Sequence, residues 1–155
     1  MKKIAVFPGS FDPITRGHES IVTRAVSLFD EIIIAVGQNA EKKHFFPLHK
    51  RVEWTKKVFK DYSSVSVESY QGLTVEFCRQ RGALFILRGL RTSADFEFER
   101  SIGQINKKIV PGIETIFLLA APDLTALNSS IVRDIIRNNG DPCPFIPEAI
   151  HPDFR

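Results

Sequence analysis

The feature that most constrains the fold of this chain is a regular alternation of short β-branched runs with longer amphipathic stretches. Five runs read as strands: Ile4–Phe7, Ile32–Val36, Val65–Ser69, Phe85–Leu87 and Thr115–Leu119. Several are apolar on consecutive residues, the pattern of strands covered on both faces. Helical stretches lie between them. His18–Phe29 carries Ile21, Val22, Ala25, Val26, Leu28 and Phe29 as a stripe of 3.6-residue period, with Arg24 and Ser27 outside it. Leu48–Phe59 follows Pro47 and places Val52, Thr55, Val58 and Phe59 at similar spacing. Thr74–Gln80 stops before Gly82, a natural terminator. Ser93–Lys108 opens on Thr92-Ser93, with Asp95 and Glu97 suited to the positive end of the helix dipole. Ser129–Asn138 runs into Asn139-Gly140. The tail, with Pro142, Pro144, Pro147 and Pro152, predicts turns around one short helix near Pro147–Ile150.

Strand–helix alternation of this kind implies right-handed βαβ units. The expected fold is α/β: a single-domain, Rossmann-like, doubly wound parallel five-stranded sheet with helices on both faces. At 155 residues, one domain over 1–155 is expected. With 43% hydrophobic and 25% charged residues the chain falls outside the disordered and fibrous classes. Cys78 and Cys143 lie far apart with no metal-ligand spacing and read as reduced thiols, one helical and one in a Pro-flanked loop. The apolar run at Ile4–Phe7 is shorter than the roughly 7 residues a signal peptide needs. No segment reaches the roughly 20 apolar residues of a membrane span. A cytoplasmic protein without membrane contact is the expectation. The net charge of +3 suits an anionic substrate, but is as common in proteins that bind none.

Doubly wound sheets bind ligands beyond the carboxyl ends of their strands, where strand order reverses. The chemistry is therefore sought in the segment after each strand. The first is Pro8-Gly9-Ser10-Phe11-Asp12-Pro13-Ile14-Thr15-Arg16-Gly17-His18. It matches neither the G-x-G-x-x-G fingerprint nor the G-x-x-x-x-G-K-[ST] phosphate loop. It still has the parts of an anion site: Gly9 for close backbone approach, the Ser10 hydroxyl, and Gly17-His18 at a helix start. A lone histidine there is more often a cap or surface residue; its spacing from Thr15 and Gly9 argues otherwise. After the second strand, Gly37–His44 is a polar loop with adjacent Lys42 and Lys43, by itself a solvated turn. Tyr70-Gln71-Gly72-Leu73-Thr74 reads only as a loop.

After the fourth strand come Arg88-Gly89-Leu90-Arg91 and then Asp95, Glu97 and Glu99. Two arginines three apart at a strand end build a core poorly and match phosphate oxygens well. The alternative is that they pair with those carboxylates. After the fifth strand, Asn128-Ser129-Ser130-Ile131-Val132-Arg133 opens a helix, where serines either cap it or offer N–H groups to phosphate.

The run Gly9–His18 resembles the first signature of the bacterial phosphopantetheine adenylyltransferases, in the T-x-G-H type of the nucleotidyltransferase superfamily. Arg88–Glu99 is similar to that family's central R-G-L-R-x-x-x-D-F-E motif, and Asn128–Arg133 to its closing I-S-S-[ST]-x-x-[RK] motif. Asn128 and Leu124 stand where a serine and an aromatic residue are usual. The resemblance runs in register from about Lys3 to about Pro152. It implies transfer of adenylate from ATP to 4′-phosphopantetheine, giving dephospho-coenzyme A and pyrophosphate without a covalent enzyme intermediate. It implies His18, Lys42 and Arg91 as catalytic, with Lys43 the runner-up to Lys42. ATP would meet Ser10, Phe11, His18, Gly89, Leu90, Arg91, Glu99, Leu124, Thr125, Ala126, Leu127, Asn128, Ser129 and Ser130. The acceptor would meet Ser10, Lys42, Leu73, Thr74 and Arg88. It further implies a homohexamer, inhibition by coenzyme A, and Mg²⁺ held mainly by phosphates and water.

The nucleophile in such a transfer is already an anion and needs no general base. The reaction needs two polyanions held in line and their developing charge neutralised. The rival readings are a nicotinamide mononucleotide adenylyltransferase or a cytidylyl transferase, a non-catalytic nucleotide sensor, and a basic nucleic-acid-binding module. The last is disfavoured because most of the 13 phenylalanines fall in predicted core stripes, not on a stacking face.

Overall fold

A computed structural model describes residues 1–39 and 41–155; Ala40, within the Gly37–His44 loop, lies outside the described residues. The strands are β1 (Ile4–Gly9), β2 (Glu31–Gly37), β3 (Val65–Tyr70), β4 (Phe85–Leu90) and β5 (Glu114–Leu119). All pair in parallel in the order β3-β2-β1-β4-β5. The chain winds outward from β1 to β3, returns across the sheet to β4, and winds outward again. Strand order thus reverses between β1 and β4, and the crevice there lies beyond Gly9 and Leu90.

β4 runs further than the sequence predicts. Arg88, Gly89 and Leu90 pair with Phe117, Leu118 and Leu119 of β5, so partner hydrogen bonds carry the strand past its apolar run. Arg88 is therefore presented by a rigid strand, not a loop.

The helices are α1 (Arg16–Ala25), α2 (Leu48–Val58), α3 (Thr74–Arg81), α4 (Ser93–Ile109) and α5 (Ser129–Arg137). α1 differs most from its predicted span. It begins two residues earlier, because Thr15 caps it, and ends at Val26, where the chain turns and leaves Leu28 47% exposed. α3 stops at Gly82, whose φ of +67° is left-handed. The proline-rich tail forms two 3₁₀ turns, Cys143–Phe145 and Glu148–Phe154, instead of one helix, with Pro152 inside the second.

Alternation along the strands feeds two cores. Ala5 and Phe7 of β1 and Ile32, Ile34 and Val36 of β2 pack with Ile21 and Val22 of α1, Trp54 of α2 and Val132 of α5. Val6, Ile33, Ala35 and Ile86 point to the other face and pack with Val75, Phe77 and Cys78 of α3. Burial pushes the Cys78 thiol up to about 12, which leaves it an inert core residue. Helices thus cover both faces, as expected.

α4 departs from the rule. None of its residues is buried; Phe96, Phe98, Ile102, Ile105 and Ile109 are all exposed, Phe98 by 68%. Phe96 and Phe98, with Phe45 and Phe145 elsewhere, are exceptions to the expectation that phenylalanines fill the core. α4 approaches β5 closely at Gly103, where an added Cβ would lie 3.1 Å from the Thr115 hydroxyl. Among the described residues no helix is long and apolar enough to cross a membrane.

Candidate active site

The turn after β1 is built around aromatic packing. Phe11 is buried at a φ of +48°, an arrangement that costs about 1 kcal/mol or more for a bulky residue and needs surrounding contacts to hold it. Its ring packs edge-on to His18 at 4.9 Å and lies over Gly9, where a Cβ would come within 3.1 Å of ring carbons. Gly9 thus leaves the room that the Phe11 ring takes up. The Asp12-Pro13 peptide is cis. The chain then enters α1 through a reciprocal cap. The Thr15 hydroxyl accepts from the His18 backbone N–H at 3.4 Å, and His18 Nδ1 accepts from the Thr15 N–H at 3.0 Å.

That second bond fixes the chemistry of His18. An Nδ1 that accepts from a backbone N–H carries no proton, so the neutral ring holds its proton on Nε2 and donates from there. Burial, and then the charges of Arg88 and Arg91, lower the His18 pKa to about 4. The residue is a neutral hydrogen-bond donor at neutral pH.

Arg88 reaches across from β4. Its Nε and Nη2 form a bidentate pair with Glu99 of α4 at 2.9 and 2.5 Å, and Nη1 donates to the Pro8 carbonyl at 2.8 Å. Three of five donors are used, leaving two for a ligand. Arg91 pairs through its Nε with Asp95 at 3.1 Å and donates to the Leu127 carbonyl at 3.2 Å. The pairing of both arginines with acidic residues, the alternative to phosphate binding, therefore does form. It orients the guanidinium groups without exhausting them. Glu97 pairs instead with Arg100.

At α5, Asn128 caps the helix by accepting from the Ile131 N–H at 2.9 Å. Asparagine caps as well as serine does, so this departure from the familiar motif leaves the helix start intact. The Ser129 hydroxyl donates to the Pro13 carbonyl, and the Ser130 hydroxyl accepts from Arg133, which also donates to the Asp12 carbonyl. Lys42 extends back to Ser10, Nζ to Oγ at 3.4 Å.

Two cavities meet among these groups. The smaller, about 350 Å³, is lined by Phe11, Thr15, Gly17, His18, Gly89, Arg91, Leu124, Leu127, Asn128, Ser129 and Ser130. The larger, about 700 Å³, runs along Gln38, Tyr70, Thr74, Ile86, Ile102, Gly103 and Asn106. Both sizes suit small-molecule ligands. Pro8, Gly9, Ser10, Lys42, Arg88 and Glu99 line both.

Other proteins resemble the chain over nearly its whole length. A phosphopantetheine adenylyltransferase of Flavobacterium psychrophilum is 57% identical over 146 residues, covering 94% of this chain and 96% of that protein. One from Thiobacillus denitrificans is 43% identical over 142 residues, covering 92% and 89%. The chain belongs to the phosphopantetheine adenylyltransferase family. The wider cytidylyltransferase-like family matches residues 6–135. A solved structure from Vibrio parahaemolyticus, provisionally named a nicotinate-nucleotide adenylyltransferase, has a TM-score of 0.72 over 99% of both chains at 18% identity, which shows the shared fold alone.

Most residues expected from the phosphopantetheine adenylyltransferase motifs line one cavity or the other. Four do not. Leu90 is buried at the end of β4, its carbonyl accepting from the Ala120 N–H. Leu73 is 58% exposed ahead of α3. Thr125 turns its hydroxyl onto the Ala121 and Pro122 carbonyls, and Ala126 beside it is exposed. The runner-up Lys43 lines neither cavity, whereas Lys42 lines both. Sequence reasoning missed the inner side of α4. Glu99, Ile102, Gly103 and Asn106 fall at i, i+3, i+4 and i+7, and extending that stripe from Glu99 would have found them.

No set of three or more metal-binding side chains is grouped among the described residues. Of the carboxylates lining the smaller cavity, Glu99 and Asp95 are engaged by Arg88 and Arg91, and Asp12 by the backbone N–H groups of Phe45 and Phe46.

Proposed function

We propose that this chain transfers adenylate from ATP to 4′-phosphopantetheine, yielding dephospho-coenzyme A and pyrophosphate. The observation that carries this reading is the pair of adjoining cavities with a shared cationic wall. The smaller has the parts for a nucleotide: two helix amino ends and Arg91. The larger, about 700 Å³, has room for a second ligand and reaches Thr74 and Asn106. Lys42 and Arg88 stand where the two would meet.

In this reading Arg88 and Ser10 hold the acceptor phosphate, and Arg91 with the amino end of α5 holds the ATP phosphates. Because the Ser129 hydroxyl is committed to Pro13, Ser129 contributes through its backbone N–H. His18, donating from Nε2, and Lys42 stabilise the charge that develops at the α-phosphate during in-line attack. Mg²⁺ travels with the triphosphate as part of the substrate. A nucleotide sensor needs only the smaller cavity and leaves the larger one unexplained.

Feedback inhibition by coenzyme A, a cytoplasmic location and assembly as a homohexamer belong to the same reading. The unburied apolar residues of α4 support assembly.

The test is pyrophosphate release from ATP and Mg²⁺ with 4′-phosphopantetheine, run beside nicotinamide mononucleotide. Release with phosphopantetheine alone, with dephospho-coenzyme A formed, is the expected result. Release with the mononucleotide alone, or with neither, would overturn the assignment.

A further inference from the structure

We propose that Arg51 is a positioning residue for the transfer, closing the base of the loop that carries Lys42. The inference rests on the transfer reading above. Arg51, in the first turn of α2, is 1% exposed and lines neither cavity. Its Nε donates to the Phe46 carbonyl at 3.1 Å, and its Nη1 donates to the Gly37 carbonyl at 3.0 Å and the Ser10 carbonyl at 2.7 Å. Gly37 ends β2 and Phe46 precedes α2, so one guanidinium grips both ends of the intervening loop. Its third partner, Ser10, is the residue that Lys42 reaches from the middle of that loop. The same group thus sets the place of the amine and of the hydroxyl it meets.

The loop's far end is held a second time. Asp12, 3% exposed, accepts from the backbone N–H groups of Phe45 and Phe46 at 2.8 and 2.9 Å. Phe46 is therefore fixed by its N–H to the β1 turn and by its carbonyl to α2. A buried guanidinium is a costly way to fill core volume, which apolar side chains do better. Only a planar fork of fixed donors reaches three carbonyls from three chain segments at once, and an ammonium does not reproduce it.

The test is a cycle of Arg51→Lys, Lys42→Ala and the double variant, with kcat and both KM values measured. Hydrogen exchange is followed in the ligand-free protein. Arg51→Lys is expected to lower kcat by about 10- to 100-fold through misplacement of Lys42, with the KM for ATP near wild type. The double variant is expected to lose far less than the product of the two single losses, because loop placement ceases to matter once the amine is gone and only the hold on Ser10 remains. Amide exchange should quicken over residues 38–46 and stay unchanged in α3 and α5. Multiplying losses in the double variant, near-wild-type kcat in Arg51→Lys, or unchanged exchange over residues 38–46 would each overturn the proposal. If Arg51→Lys does not fold, Asp12→Asn loosens the same segment from its N–H side and runs through the same cycle with the same expectations. A wild-type protein that makes no dephospho-coenzyme A defeats the transfer reading, and the exchange measurement still decides whether Arg51 anchors the loop.

Discussion

His18 divides one ring between two tasks. Nδ1 closes the cap of α1 against Thr15, and this leaves the proton on Nε2 of a ring that lines the smaller cavity. The sequence poses a cap and a ligand contact as alternatives for His18, and its spacing argues against the cap; the ring does form the cap, and it lines the smaller cavity as well. The sequence did not point to Arg51, whose three carbonyl partners come from chain segments that only the fold brings together. His18→Ala should lower turnover about a hundredfold while leaving ATP binding largely intact, checked by steady-state rates beside calorimetric titration. The pH dependence follows from the lowered pKa. In the free protein the ring should titrate near 4 by NMR, not near 6.5. Between those values the unfolded chain binds a proton that the folded ring refuses, so stability falls as pH drops through this window. Wild type should lose on the order of 1 kcal/mol more than His18→Gln between pH 7 and 5 in urea denaturation, a figure reduced for the ring's partial exposure.

Periodicity gave most strands and helices in order because each buries a regular face, whereas α4, with no buried residue, was legible from its cap and first-turn acids. Element ends were less legible, since pairing and capping decide them. β4 continues through Arg88-Gly89 because β5 supplies its hydrogen-bond partners, and α1 starts at Arg16 because Thr15 turns back on the chain. At Gly89 the two elements meet. An added Cβ would lie 3.1 Å from Cγ1 of Ile21, which belongs to the core face of α1. Gly89→Ala should therefore shift α1 by a few tenths of an ångström and carry His18 with it. The expected cost is about 1 to 3 kcal/mol in stability. The kcat should fall more than that loss explains, measured on fully folded protein at low temperature. Wild-type kcat in the Gly89→Ala variant would show that α1 absorbs the methyl without moving its amino end.

At the scale of the molecule, a doubly wound parallel sheet was legible from strand–helix alternation but its strand order was not, and it is the reversal between β1 and β4 that locates both cavities. The exposed side of α4 was not legible, because its stripe of phenylalanine and isoleucine reads like a core stripe until the sheet is seen not to cover it. A 17.5 kDa chain with such a face should sediment as a multiple of that mass. Phe98→Glu combined with Ile105→Glu should shift it to the monomer, and sedimentation at equilibrium reads the difference. The six residues common to both cavities have one last consequence, for the pace of release. A compound filling one cavity is gripped by one set of walls, but a compound joining both halves is gripped by two sets while losing its freedom of movement only once. The joined product is such a compound, so it should leave this crevice more slowly than either half does, and dissociation rates measured for the product and for each substrate read the difference.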